Sequence, residues 1–229
     1  MTRKERFNYI LDYFRKEQGP VTTELEFGSA FQLIVATLLS AQCTDKRINM
    51  ITPELYRHYP TAEAMAQADW EDIFQLIKSV SYPNSKAHHL SEMAKILVER
   101  FNGEVPDNTD DLTQLPGVGR KTANVVQAVW FGKPTLAVDT HVYRVSHRLG
   151  LVPETANTPL KVELELMKYI PKADVGNAHH WLLLHGRYIC KSQRPQCQDC
   201  PFSTFCPTGV KILKEKQASA LSKTAVKKP

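Results

Sequence analysis

Apolar residues recur along this chain at spacings of three and four, the period of an amphipathic α-helix. The pattern predicts helices over Ser85–Phe101, Gly119–Phe131, Asp139–Leu149 and Asp174–Tyr188. Residues 29–42 are apolar on nearly every side, which predicts a buried central helix. No series of β-branched runs joined by hairpin turns occurs, so the pattern favours an all-α fold.

One segment fits two patterns. Leu160, Val162, Leu164 and Leu166 alternate with polar residues as they would in a strand. The preceding Thr158-Pro159 pair, however, is typical of a helix N-cap followed by a first-turn proline. Together with the helix-favouring Glu, Leu, Lys and Met residues, it predicts a helix.

Composition and charge narrow the class of protein. The chain has 229 residues, of which 42% are hydrophobic and 23% charged, as in ordinary folded domains. No apolar run approaches the roughly 18 residues of a membrane-spanning helix, and the N-terminus lacks a secretory signal pattern. We therefore expect a cytoplasmic protein with no membrane partner.

The positive charge is concentrated at the C-terminus. Of the net charge of +5, residues 212–229 contribute +4, because they contain five lysines and one glutamate. We expect this segment to be a basic, disordered tail. Since the rest of the chain is nearly neutral, tight binding to a polyanion would depend on local basic patches.

The string Leu115-Pro-Gly-Val-Gly-Arg-Lys-Thr122 lies between a short predicted helix and a longer one. Gly117 and Gly119 permit a tight turn whose N–H groups point outward at a helix N-terminus, an arrangement that suits a phosphate oxygen. A turn without function is the alternative. A nucleotide P-loop is disfavoured because Arg120 interrupts the glycine–lysine order and no strand precedes it. The whole string is typical of a helix-hairpin-helix, which clamps a DNA backbone.

Two residues near this motif are candidates for catalysis. Lys121 occupies the first turn of its helix beside Arg120, where the helix dipole and the neighbouring cation both favour a neutral, nucleophilic amine. Asp139 follows 18 residues later, at a predicted helix start. Its carboxylate could stabilise positive charge on a sugar or accept a proton, although a simple helix cap and a solvated lysine explain the two residues equally well.

Four of the five cysteines, Cys190, Cys197, Cys200 and Cys206, fall within 17 residues, which indicates a metal or cluster site. Zinc sites of four thiolates usually have two CxxC pairs, whereas this segment has one. The longer loops favour an iron–sulfur cluster. Lys191 and Arg194 lie in the first loop and are candidates for phosphate contacts.

These elements, in this order, resemble endonuclease III, a family of base excision repair DNA glycosylases with lyase activity. The resemblance spans roughly residues 5–207, and the matching strings are LLSAQ-x-TD, NSKA, LPGVGRKTANVV, AVDTHVYRV and HHWLLLHGRYIC.

The resemblance implies a role for individual residues. Lys121 matches the Schiff-base lysine of the family, Asp139 its catalytic aspartate, and the four cysteines its [4Fe–4S] ligands. Gln42 matches the residue that enters the space left by an extruded base. The residues that match pocket neighbours are Ser40, Asp45 and His141. The motif residues Gly117, Val118, Gly119 and Arg120 would bind the DNA backbone.

The chain departs from the family at one loop. Where the family often has a leucine wedge, this sequence has Ser81-Tyr82-Pro83. We expect Tyr82 to act as the wedge by stacking its ring in the duplex, because aromatic rings stack on bases. The alternative is that Tyr82 packs against its own lobe.

The implied fold has two helical lobes flanking a DNA-binding cleft. One lobe is a helical barrel, residues 23–135, and the other joins residues 1–22 to a cluster domain, residues 136–211. The implied enzyme is a nucleoid-associated monomer that acts on double-stranded DNA with a damaged pyrimidine or an abasic site. The alternatives are an adenine mismatch glycosylase and a non-enzymatic iron–sulfur DNA-binding module.

Overall fold

The computed structural model describes residues 1–225, with side chains through residue 219, and it is helical throughout. Within the described residues there are twelve α-helices, one 3₁₀ turn at Lys172–Asp174 and no strand. The helices are α1 (Arg3–Glu17), α2 (Ala30–Leu39), α3 (Asp45–His58), α4 (Ala62–Ala66), α5 (Trp70–Ile77), α6 (Pro83–Phe101), α7 (Thr109–Leu112), α8 (Arg120–Val129), α9 (Thr140–Arg148), α10 (Pro159–Met167), α11 (Val175–Tyr188) and α12 (Pro207–Ala225). The predicted all-α class is confirmed, and the segment with two patterns is the helix α10.

Side chains that accept a backbone hydrogen bond fix where many of these helices begin. Thr2 forms a capping box with Glu5, in which each side chain bonds the backbone N–H of the other residue. Ser29, Thr44 and Thr158 accept from the third residue of α2, α3 and α10 in the same way. Because the first N–H groups of a helix have no partner within it, such caps decide the first residue of each helix.

The chain divides into two compact units. The hairpin unit is residues 22–137, and the cysteine unit combines residues 1–21 with the chain from residue 138 onward.

The hairpin unit is built around α2. Residues 33–39 of this helix are all buried, as expected for a helix that is apolar on every side. The apolar faces of α6 and α8 belong to the same core cluster, with Leu90, Leu97 and Val126 fully buried.

The cysteine unit is centred on aromatic rings that join its two chain segments. Phe14 of α1 stacks on Trp181 of α11 with ring centroids 5.8 Å apart, and it meets the edge of Phe202 at 5.4 Å. The indole of Trp181 donates a hydrogen bond to the Gly19 carbonyl at 2.9 Å. The N-terminal helix is therefore a core element of this unit.

Four elements differ from the sequence-based expectation, namely α3, α4, α5 and α12. The helix α3 was not predicted, since Pro53 lies inside it and proline usually ends a helix. The expected disordered tail from residue 212 is wrong as far as residue 225, because α12 extends to Ala225. Lysine, glutamate, alanine and leucine favour helix, and Ile212 and Leu213 are partly buried. Residues 226–229 of that predicted tail lie outside the described residues.

No helix within the described residues combines the length and the apolarity that crossing a membrane requires.

Candidate active site and nucleic-acid-binding residues

The motif around Gly117 forms a helix–turn–helix connection between α7 and α8. The Val118 N–H donates to the Leu115 carbonyl at 3.0 Å, which closes the turn, and Gly119 is the N-cap of α8. Gly117 has a φ of +76°, in the left-handed region. A Cβ there would also lie 2.8 Å from Leu38 Cδ1, so this position requires glycine for two reasons.

Gly119 has a different environment. Its φ of −89° is accessible to any residue, and a Cβ placed there would have no heavy atom within 4 Å. The residue is exposed at the N-terminus of α8, where backbone N–H groups point along the helix axis. No packing contact or backbone angle requires a glycine here beyond its preference at an N-cap, whereas the close approach of a ligand to the backbone would require one.

The side chains on either side of Gly119 have opposite environments. Lys121 and Arg120 are exposed in the first turn of α8, as the sequence predicts. Val118 is only 5% exposed and its N–H is bonded within the turn. Val118 therefore supports the shape of the turn, and neither its side chain nor its N–H is available to a phosphate.

Asp139 is the N-cap of α9 in the cysteine unit. Its Oδ1 accepts a hydrogen bond from the Val142 N–H at 2.8 Å, which orients the half-buried carboxylate, and Oδ2 takes no part in that bond. His141, also half-buried, has its Nδ1 3.2 Å from a guanidinium nitrogen of Arg144. Arg144 in turn donates to the carbonyls of Gly186 at 2.9 Å and Cys190 at 3.1 Å. The start of α9 is thus tied to the segment that contains the cysteines.

The four clustered cysteines line one pocket of the cysteine unit. Burial raises the pKa of the Cys200 thiol to about 11, and it also raises the pKa values of Cys197 and Cys206. Among the described residues, no three His, Cys, Asp or Glu side chains are grouped closely enough to ligate a single metal ion. The four thiols therefore line a space that is larger than the site of a single metal ion.

Donors from the protein point at the sulfur atoms of this cavity. The Gly209 N–H donates to Cys206 Sγ at 3.3 Å, and an Arg148 nitrogen lies 3.6 Å from Cys190 Sγ. Arg148 also donates to the carbonyls of Lys191 at 2.6 Å and Ser192 at 2.9 Å. The side chains of Lys191 and Arg194 are exposed in this loop, and Arg194 has a φ of +48°.

The candidate insertion residues lie on two loops of the hairpin unit. Gln42 follows α2 and Tyr82 precedes α6, and both are exposed, Tyr82 to 65%. Ser40 ends α2 and its hydroxyl donates to the Thr37 carbonyl at 2.8 Å, whereas Asp45 is a half-buried residue in the first turn of α3. The high exposure of Tyr82 disagrees with the alternative that its ring packs against its own lobe.

The sequence analysis assigned no role to three side chains that lie between these two loops. Cys43, Ser81 and Lys86 are joined by hydrogen bonds, and Lys86 is buried. Sequence alone does not distinguish this buried lysine from Lys95, the exposed lysine of the same helix. Only the NSKA string, which includes Lys86, could have drawn attention to it.

A helical fold with a helix-hairpin-helix turn, an exposed lysine after that turn and a four-cysteine segment defines a class of DNA repair proteins. Sequence comparison agrees, because the profile of the HhH-GPD superfamily of base excision DNA repair proteins matches residues 35–172. Endonuclease III of Escherichia coli K12 is 43% identical over 203 residues, 89% of this chain and 95% of that protein. Endonuclease III of Bacillus subtilis is 45% identical over 211 residues, 92% of this chain and 96% of that protein.

Solved structures give the same result. A trapped covalent intermediate of endonuclease III with DNA superposes with a TM-score of 0.88 at 42% identity, covering 93% of this chain and all of that one. A thermostable thymine-DNA glycosylase has a TM-score of 0.80 at 22% identity, which shows the shared fold. The chain belongs to the endonuclease III family of the HhH-GPD superfamily, and it is a DNA glycosylase/AP lyase of base excision repair. The two alternative functions considered from the sequence are not favoured.

Proposed function

We propose that this enzyme removes damaged pyrimidines through a Schiff base on Lys121 and then cleaves the DNA on the 3′ side of the abasic site. The observation that carries this proposal is the exposed amine of Lys121, two residues after a turn whose Gly119 has open space around it. An amine in the first turn of a helix lies at the positive end of the helix dipole, which favours its neutral form. A neutral amine is the form that attacks carbon.

The reaction proceeds in two stages. The Lys121 nitrogen bonds to the anomeric carbon of the sugar, and the damaged base leaves with the bonding electron pair. The ring oxygen then leaves the anomeric carbon with the bonding electron pair and takes up a proton, while the nitrogen lone pair forms the iminium ion. The iminium acidifies the proton on the adjacent sugar carbon. Removal of that proton expels the 3′ phosphate by β-elimination, and hydrolysis of the iminium returns the free amine.

Asp139 is the proposed partner of Lys121 in this chemistry. Its carboxylate is held by the Val142 N–H, so it does not need to reorganise when charge develops. A negative charge at that point would stabilise the positive charge that the sugar acquires as the base departs. Its second oxygen would accept the proton that the attacking amine must lose. His141 is proposed to line the same pocket, together with Ser40 and Asp45.

DNA binding is assigned to exposed groups around the turn and the loops. The backbone at Gly117 and Gly119, with Arg120, would hold phosphate oxygens at the N-terminus of α8. Lys191 and Arg194 would contact a second stretch of the backbone. Gln42 and Tyr82 would enter the duplex where the damaged base has been extruded, because extrusion costs stacking and pairing energy that must be recovered.

The cavity of the cysteine unit fits a [4Fe–4S] cluster held by Cys190, Cys197, Cys200 and Cys206. The four thiols line one pocket, and N–H donors point at two of the sulfurs, an arrangement that suits the thiolate ligands of an iron–sulfur cluster. A bound cluster would fix the chain from α11 to α12 by cross-linking it at four points. Since burial raises the pKa values of three of these thiols, ligation would release protons.

Under this proposal the enzyme works as a monomer on double-stranded DNA in the nucleoid. The decisive experiment is borohydride trapping on a duplex with one abasic site. Wild type should form a covalent adduct, and Lys121→Gln should form none. Lys95→Gln, which changes an exposed lysine of α6 in the same unit, is the matched control and should trap like wild type. An adduct with Lys121→Gln would show that another amine is the nucleophile.

A further inference from the structure

Gln42 and Tyr82 share an unusual backbone conformation. Their φ values are +58° and +56°, in the left-handed region that residues with a Cβ rarely adopt. Such a conformation persists only where surrounding contacts specify it. Both residues are exposed, so their own side chains do not supply those contacts.

Ser81 bonds directly to the loop of Gln42. Its hydroxyl donates to the Gln42 carbonyl at 2.8 Å, and its N–H donates to Cys43 Sγ at 3.1 Å. The residue immediately before Tyr82 is therefore bonded to Gln42 itself and to the residue immediately after it. Neither loop can move in this region without breaking a hydrogen bond to the other.

Lys86 forms hydrogen bonds to the Gln42 loop from the interior of the hairpin unit. Its side chain comes from the first turn of α6, is only 5% exposed, and donates from Nζ to the carbonyls of Leu39 at 2.8 Å and Ala41 at 2.6 Å. These carbonyls belong to the end of α2, where the helix leaves acceptors without partners and its dipole is negative. The Lys86 ammonium thus links the first turn of α6, which follows the Tyr82 loop, to the end of α2, which precedes the Gln42 loop.

Cys43 completes the connection. Its Sγ lies 3.9 Å from Lys86 Nζ as well as accepting from Ser81. Burial favours the neutral thiol, but the hydrogen bonds from Ser81 and the nearby Lys86 ammonium outweigh it and lower the pKa of Cys43. The Cys43 thiol also donates to Ser81 Oγ at 3.5 Å, so it both accepts from and donates to Ser81 and links the two loops.

We propose that Cys43, Ser81 and Lys86 are positioning residues that lock the Gln42 and Tyr82 loops into one preformed insertion element. This inference rests on the proposed function, in which Gln42 and Tyr82 enter the duplex. Two separately mobile loops would each have to be ordered on insertion, and a preformed pair avoids that entropic cost. Buried Lys86 is out of reach of DNA, so it acts only through the loops.

The test separates positioning from folding by comparing two substrates. Base release is measured in single turnovers on a duplex with one thymine glycol, and strand cleavage is measured on a single strand with one abasic site, which has no gap to fill. Ser81→Ala should slow the first reaction by about five-fold, the loss of about one hydrogen bond, and leave the second unchanged. Ser81→Thr keeps the hydroxyl and should restore the rate. Ser79→Ala, at an exposed serine two residues earlier, is the matched control.

A double-mutant cycle decides the mechanism. Because Ser81 places both loops, Ser81→Ala should slow duplex base release less in a Tyr82→Ala background than in wild type, and the remaining effect should act through Gln42. Independent, additive losses would overturn the inference, as would an equal loss on both substrates. Lys86→Met should show the same duplex selectivity with a larger loss, and if that variant fails to fold, the Ser81 cycle decides alone. If Tyr82→Ala and Gln42→Ala themselves leave duplex base release unchanged, the insertion role fails and this inference fails with it.

Discussion

Replacing each glycine of the hairpin turn by alanine distinguishes the glycine that stability requires from the glycine that DNA binding requires. At Gly117 the added Cβ meets a left-handed backbone, which costs about 1–2 kcal/mol for a residue with a side chain. It also meets Leu38 Cδ1 at 2.8 Å and His89 Nδ1 at 3.0 Å. Leu38 is 4% exposed and has little room to move, so overpacking adds about 1–3 kcal/mol.

The expected loss for Gly117→Ala is therefore about 2–5 kcal/mol of unfolding free energy. For a chain of this length, that lowers the melting temperature by roughly 4–20 °C. Gly119→Ala should change stability by less than about 1 kcal/mol, because the weaker alanine cap is offset by the smaller entropy of the unfolded chain.

Two assays on both variants test this reasoning. Thermal unfolding followed by circular dichroism should show a large shift for Gly117→Ala and almost none for Gly119→Ala. Gel-shift titration with abasic duplex should show weaker binding by Gly119→Ala, since its methyl group occupies the space where a phosphate would approach. Equal shifts in melting temperature would refute the packing argument. Unchanged binding by Gly119→Ala would refute the phosphate site.

Three further predictions concern the cysteine unit. Cys206→Ser should purify with less iron and a lower melting temperature than wild type, whereas Cys43→Ser should keep its full iron content. If elemental analysis found zinc in the wild-type protein, it would contradict the iron–sulfur cluster. Asp139→Asn should lose base release but keep its melting temperature and its affinity for duplex, because asparagine caps a helix as well as aspartate does; retained base release would remove Asp139 from the chemistry. Replacing the exposed Lys214 and Lys216 of α12 by glutamine should reduce the slope of log affinity against log salt concentration by about 1.8, the value for two phosphate contacts. An unchanged slope would show that α12 does not bind DNA.

The fold was largely predictable wherever the helical period was strong. The buried α2 and the amphipathic α6 needed only the spacing of their apolar residues. The helix α3 was not predicted, although its buried residues Ile48, Thr52 and Leu55 keep the helical spacing; it contains Pro53, and proline usually ends a helix. The helix α12 was missed because its lysine-rich composition is equally typical of a solvated tail and of an exposed helix.

The residues of the candidate site also differ in how far the sequence alone identifies them. Lys121, Asp139 and the four cysteines lie in strings that single them out as candidates through their resemblance to the family. The contribution of Lys86 depends on its burial against the end of α2, and that contact joins positions 47 residues apart in the chain. Likewise, the burial of Val118 and the open space at Gly119 are properties of the folded turn, which the motif alone does not distinguish.

The division of the cysteine unit into two chain segments has a consequence for biosynthesis. The rings of Phe7 and Phe14 on α1 are buried in this unit, and Phe14 stacks on Trp181, which is translated 167 residues after it. At about 5–20 residues per second, α1 waits on the order of 8–30 s for that partner. The hairpin unit, residues 22–137, is translated in full within this interval. The cysteine unit, whose first helix is translated before the hairpin unit, is therefore completed only after it, and the apolar face of α1 has no partner from its own unit in the meantime.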